Sequence, residues 1–240
     1  MTHAPYDNIA GWYDELVRTA PLYEEMILPA MIDLAGDVAG VDILDLACGQ
    51  GMVSRGLARR GAIVTGVNIS TKLLDIARRY EKNEPLGISY HEDNAESLDS
   101  VPNEAFDGIT CGMALMNIDD LDACSRAVRR VLKPGGWFVA SITHPCFQTP
   151  DADWVETPTG PARQVRGYFD ERYWESGNPD GVRGKVGEHH RTLGAYINTF
   201  AVAGLLCDRM LEPIAVGQRA EEVPGNLEVP SILVLRFRSE

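Results

Sequence analysis

The chain has 240 residues, 45% hydrophobic and 24% charged, with 35 acids against 22 bases and a formal charge of −13. That balance describes an ordinary folded domain, long enough for one α/β core with a modest insertion. It argues against nucleic acid or an anionic membrane surface as partner, because phosphate recognition needs clustered Lys and Arg. The pairs Arg59-Arg60 and Arg129-Arg130 lie on helix-like stretches and read as solvated faces. Five scattered cysteines without a CxxC pair fit free thiols in a reducing compartment. The first residues carry neither region of a signal peptide, and no apolar run exceeds strand length, so a cytoplasmic location is expected, with no membrane partner.

In chain order, Ile9, Trp12, Tyr13 and Leu16 fall at helical spacing within Tyr6–Val17. A second helix is predicted over Leu22–Ala35, with Met26, Ile27, Ala30, Met31 and Leu34 on one face and Pro29 as a bend. From Val41 to Arg59 the sequence reads VDILDLACGQGMVSRGLAR. An alternating strand reaches Asp45 near its end, a small-residue turn Cys48-Gly49-Gln50-Gly51 follows, and a helix carries Met52, Val53, Leu57 and Ala58. Strand, glycine turn and helix make a nucleotide-cradling corner, where the backbone approaches a ligand closely and the helix N-terminus offers free N–H groups. The spacing Gly49-x-Gly51-x-x-Ser54 keeps the dinucleotide fingerprint only in part. Asp45, four residues ahead of Gly49, would repel a pyrophosphate and suit a ligand carrying an ammonium and a sulfonium.

On these residues the chain resembles the class I S-adenosylmethionine (SAM) dependent methyltransferases, whose first motif reads like DLACGQG, and among them the small-molecule enzymes of ubiquinone/menaquinone type. The resemblance implies a Rossmann-like seven-stranded α/β sheet flanked by helices, with SAM as cofactor at Asp45, Gly49 and Gly51. An NAD-dependent oxidoreductase is the less favoured reading.

The second strand, Ala62–Val67, ends in GVNIS, where the family places an acid that holds both ribose hydroxyls. Here Asn68 stands there, followed by Ile69. An amide accepts from one hydroxyl and donates to the other oxygen, but without charge assistance. Ser70 or Thr71 caps the next helix, which carries Leu73, Leu74, Ile76 and Ala77. After a third strand at Ile88–His91, the resemblance places the adenine contacts at Asn94-Ala95, by spacing to Leu98, or at Asp93-Asn94. It also sets Gly112 and Met113, after the fourth strand Phe106–Cys111, beside the sulfonium. A helix from Asp119 or Asp120 to Val131 runs into RVLKPGG and a fifth strand, Trp137–Ile142. The leading helices become a lid, with Tyr13 as a contact to the methionine part of SAM.

Residues 143–188 are rich in Pro, Gly, Asp and aromatics, without a long periodic stretch, and read as an irregular insertion over the active site. A helix from His189 through Ala203 and strands at Leu205–Leu211 and Pro230–Phe237 complete an antiparallel sheet edge. The expected organisation is a single domain: lid 1–36, SAM-binding core 37–142, substrate-covering insertion 143–188, and C-terminal helix and strands 189–240. In-line methyl transfer draws roughly 7–11 kcal/mol from positioning and about 3–5 kcal/mol from a base where the acceptor is protonated. The candidate bases are His144, after strand five, and His189 and His190, which on a helix would diverge by about 100° so that one faces the cleft. Tyr168 and Tyr173 are further options. His144, Cys146 and Asp151 match no standard metal spacing, so no metal is expected. The expected partner is a small organic methyl acceptor; a SAM-binding protein with another reaction or a sensing role is the alternative. Nothing in the sequence speaks to oligomeric state.

Overall fold

The computed structural model describes residues 4–158 and 160–239. A 3₁₀ turn (Pro5–Asn8) and helix α1 (Ala10–Thr19) lead to a π-helical turn (Leu22–Ile27) that runs straight into α2 (Leu28–Ala35). The single helix expected over this stretch is thus one helix in two registers. Pro29, which lacks an N–H, stands in the first turn of α2, where the register changes.

Strands and helices then alternate except between β3 and β4: β1 (Asp42–Leu46), α3 (Met52–Ala58), β2 (Ile63–Asn68), α4 (Thr71–Asn83), β3 (Ser89–Glu92), β4 (Phe106–Gly112), α5 (Leu121–Val131) and β5 (Leu132–Thr143). Both capping alternatives are resolved. Ser70 Oγ accepts from Leu73 N at 3.2 Å and Asp120 Oδ1 from Ala123 N at 2.8 Å, so each satisfies an N–H its helix leaves free.

The insertion holds more regular structure than expected. It contains β6 (Asp153–Thr157), β7 (Gly160–Gln164), β8 (Arg172–Trp174) and α6 (Val182–Val186), and β9 (Glu188–His190) closes it. β6 pairs with β7 and β8 with β9, both antiparallel. Strands this short, the second pair joined across a helix, leave no local period to read. His189 and His190 therefore lie on a strand; the helix expected from His189 is α7 (Leu193–Val202), capped by Thr192. β10 (Leu205–Leu211), α8 (Gly217–Glu222) and β11 (Ile232–Ser239) end the chain.

The main sheet has seven strands in the order β10-β11-β5-β4-β1-β2-β3. β1 to β5 run parallel, while β11 is antiparallel to both its neighbours. The chain walks outward through β2 and β3, then returns to lay β4 on the other side of β1. That reversal opens a crevice at the carboxyl ends of β1 and β4. Among the described residues no helix is long and apolar enough to cross a membrane.

One face of the sheet is covered by α5 and α7, the other by α2, α3 and α4, and each interface is an apolar cluster. Phe138, Phe200 and Phe237 are fully buried, with ring centroids 4.8 to 5.9 Å apart, and fasten α7 to β5 and β11. Replacing Phe200 by alanine removes the α7 member of this trio, and an unfolding free energy lower by about 3–5 kcal/mol is expected in urea titrations.

Candidate functional site

At the carboxyl ends of β1 to β4 lies a cleft of about 550 Å³. Its walls come from the segments that follow each strand: Ala47 and Gly49, Asn68 and Ile69, Asn94 and Ala95, Gly112 and Met113. Tyr6 and Tyr13 roof it from the N-terminal segment, and Tyr173, Lys185 and His189 from the insertion.

The turn after β1 is shaped by its glycines. Gly49 and Gly51 have φ of +57° and +82°, and a Cβ on Gly51 would lie 2.3 Å from Tyr90 Oη. Between them Gln50 is held by Arg55, which donates to its carbonyl at 2.6 Å and its Oε1 at 2.7 Å. Gly51 is the N-cap residue of α3 and gives the cleft no wall; Gly49 does.

Asp45 stands differently from the expectation. Its carboxylate is 1% exposed and receives the hydroxyls of Ser54, at 2.5 Å, and Thr110, at 2.8 Å. It borders a narrow cavity beneath the cleft, together with Tyr13, Gly49 and Met113, and does not open into the cleft itself. Burial pushes its pKa up to about 6, against the lowering effect of the two hydroxyls.

Asn68 is buried at the end of β2, where its Nδ2 donates to Ser70 O at 3.4 Å and its Oδ1 takes no hydrogen bond from the described residues. After β3, the Asp93 carboxylate accepts from the N–H groups of Asn94, Asp99 and Ser100 at 2.7 to 3.2 Å. Asp93 is thus committed to holding its own loop, which presents Asn94 and Ala95 to the cleft. Met113 has φ of +52°, unusual for a side-chain-bearing residue, and its N–H is held by Ser141 O and Oγ, both at 3.0 Å.

Tyr13 packs edge-on against Tyr6 and Tyr23, with centroids 5.0 and 6.5 Å away. Burial pushes all three phenols up, so they stay protonated and serve as donors, not bases.

Of the three histidines named as candidate bases, only His189 reaches the cleft, with Nε2 2.9 Å from Asp119 Oδ1. Successive residues of a strand face opposite ways, so His190 points back into the insertion, Nε2 2.9 Å from Tyr168 O. His144 is buried on the far side of β5, with Nε2 2.8 Å from Glu212 Oε1 and Nδ1 accepting from Cys146 N at 3.2 Å. Burial lowers its pKa. Neither His144 nor His190 lines the cleft. Among the described residues no group of three His, Cys, Asp or Glu side chains could hold a metal ion.

The cleft's charge decides what it holds. Asp93, Glu96, Asp119 and Glu175 line it against a single Lys185. A pyrophosphate would be repelled there, whereas a ligand with a sulfonium and an ammonium is attracted, and the glycine turn leaves room for it. These residues fit SAM. Residues 44–140 match a family model described as a methyltransferase domain. By these matches the chain resembles the SAM-dependent methyltransferases.

Among the relatives of this chain, the ubiquinone biosynthesis O-methyltransferase of Alkalilimnicola ehrlichii is 33% identical over 143 residues, 58% of this chain and 57% of that protein. The enzyme of the same name from Chromobacterium violaceum is 34% identical over 127 residues, 52% of this chain and 55% of that protein. The match therefore spans little more than half the length of either relative. The crystal structure of an S-adenosylmethionine dependent methyltransferase from Mesorhizobium loti superposes with a TM-score of 0.75 at 28% identity, covering 92% of this chain and 99% of that one.

The protein has a second chamber, of about 860 Å³, that shares Tyr6, Tyr13, Met113, Asn117 and Glu175 with the first. Its outer wall is the insertion, with Trp154, Arg163, Trp174, Arg183 and Glu188. Glu188 is 4% exposed; burial pushes its pKa up to about 7, opposed by Arg183 at 3.5 Å. Sequence reasoning passed over Glu188 because it belongs to no motif. The only signal is an acid beside a histidine pair, which has meaning once β9 sets the facing of each.

The burial of Asp45 makes a pH prediction. Its pKa is about 6 in the fold against an ordinary 3.8, so the folded state binds the proton more tightly. The stabilisation is full below about pH 4 and is lost as pH rises through about 6. The stability of the wild type relative to Asp45→Asn should therefore fall between pH 4 and 6 in denaturant titrations; a difference that stays level would show a carboxyl in contact with water.

Proposed function

We propose that this protein transfers the methyl group of SAM to a small organic molecule. The observation that carries the reading is the junction of two chambers at Tyr6, Tyr13, Met113 and Asn117. When bound, SAM supplies a methyl group on a positively charged sulfur, and the electron pair of the broken C–S bond stays with that sulfur. On this reading Asn68 takes the ribose hydroxyls, Asn94-Ala95 the adenine edge, and the Gly49 turn with Tyr13 the methionine part. The three packed tyrosines keep water from the junction and hold the acceptor in line, which accounts for most of the acceleration in such a displacement, roughly 7–11 kcal/mol.

For an acceptor that must lose a proton, Glu188 is the base this geometry favours. It is buried in the acceptor chamber, its neighbours Val186 and His189 line the cofactor cleft, and Asn117 Nδ2 donates to Gly187 O at 3.0 Å. The acceptor proton passes to its carboxylate as the acceptor's electron pair forms the new bond. The relatives' O-methyltransferase name favours oxygen as the methylated atom. The acidic charge supports a small acceptor over nucleic acid, and the five free thiols a cytoplasmic setting.

Incubation with labelled SAM and a panel of hydroxylated and amino-bearing acceptors tests the function directly; SAM binding without methylated product from any of them would refute it. Asn68→Asp restores the charge-assisted bond to ribose and should tighten SAM binding by about 1 kcal/mol in calorimetry, with unchanged or weaker binding placing the ribose elsewhere. With a protonated acceptor, kcat/KM should rise as Glu188 loses its proton near pH 7, and Glu188→Gln should remove that limb and slow turnover about 10²-fold. An unaltered pH profile in the variant would exclude Glu188 as the base.

A further inference from the structure

The acceptor chamber is lined by four guanidiniums, those of Arg163, Arg172, Arg183 and Arg219. Three have a carboxylate partner: Arg172 with Asp151 at 3.6 Å, Arg183 with Glu188 at 3.5 Å and Arg219 with Glu222 at 3.8 Å. Arg163 has no ion-pair partner among the described residues. Its Nε donates to Phe147 O at 2.8 Å and its Nη2 to Gln148 Oε1 at 3.2 Å, both neutral acceptors. Nη1 bonds to nothing among the described residues, and Nη2 keeps a second proton free.

This cation is half-buried, with its guanidinium carbon 5.4 Å from the Trp154 ring centroid. Burial lowers its pKa, as does the nearby positive charge of Arg183, with only Asp153 acting the other way. A charge partly withdrawn from water, with Asp153 near it but no carboxylate in ion-pair contact among the described residues, is unfavourable, and here it persists in a chain of formal charge −13. Its free Nη1 and Nη2 protons form the parallel fork that matches the two oxygens of one carboxylate. One positive charge without an ion pair is matched by one negative charge. A phosphate dianion would overshoot in a chamber that Asp151 and Asp153 also line. The same chamber has an apolar wall in Leu22, Tyr23, Met116 and Ile232.

We propose that the methyl acceptor is a small organic acid with an apolar body, its carboxylate seated on Arg163 at the outer end of the chamber. The body lies along Tyr23, Met116 and Ile232, with the methylated atom at the junction beside Met113. This rests on the methyl-transfer reading above, and it assigns Arg163 as the residue that selects acceptors by charge.

The test is calorimetry on the full chain at pH 7.5, first with SAM alone, then saturated with S-adenosylhomocysteine and titrated with 3-phenylpropionate, octanoate, 3-phenylpropionamide and inorganic phosphate. Failure of SAM to bind strikes the methyl-transfer reading; the acid-to-amide ratio tests only the present proposal. At least one acid should bind about ten-fold more tightly than the amide, the strength of one charge-assisted pair. Arg163→Gln should bring acid and amide within about two-fold while SAM affinity stays unchanged, and Arg163→Lys, which keeps the charge and loses the fork, should fall between. Should Arg163→Gln not fold, the Lys variant carries the test, a reduced preference supporting the proposal and a full one opposing it. Equal binding of acid and amide, no binding of either acid, an intact preference in Arg163→Gln, or phosphate outcompeting the acids would each overturn it.

Discussion

A carboxylate with almost no access to water holds this fold together at its switch point. Asp45 receives one hydroxyl from α3, through Ser54, and one from β4, through Thr110. Those elements flank the crevice created where the chain reverses direction across the sheet. Strand pairing alone sets β1 beside β4, but it does not tie α3 to them. Two short hydrogen bonds to one buried acid make that tie. The glycine turn above it, with Gln50 pinned by Arg55, inherits its position from this anchor. Asp45 thus acts beneath the cofactor site, while the negative charge that favours a cationic ligand comes from acids distributed around the cleft.

The site is completed by segments that contribute nothing to the parallel core. The N-terminal helices bring Tyr6, Tyr13 and Tyr23 over the crevice, and the ribbons of the insertion close the far wall. The junction between the two chambers is therefore built from residues more than 100 positions apart: Tyr6 Oη donates to Asn117 Oδ1 at 3.2 Å, and Asn117 in turn bonds the backbone of the insertion at Gly187. In the proposed methyl transfer such a roof excludes water from a reaction in which positioning outweighs acid–base chemistry. It also explains why no compact catalytic motif exists in the chain, since the groups that matter are delivered singly by separate elements.

The order of strands and helices, the glycine turn and the segments that wall the cofactor cleft were legible in the residues alone. Hydrophobic period, capping residues and turn glycines act over a few neighbours, so the pattern at Val41–Arg59 or around Ser70 carries its meaning locally. Gly49, Asn68, Asn94 and Met113 all stand where the crevice opens, because a parallel sheet delivers every post-strand segment to the same edge. What a side chain faces is another matter. Asp45 turned to two hydroxyls beside a narrow cavity, His144 was buried against Glu212, and β9 sent His189 and His190 to opposite sides. Glu188 and Arg163 gained their significance only from burial and from the presence or lack of a partner distant in sequence. Those properties depend on long-range packing and on the local dielectric it creates, and no short stretch of chain encodes either.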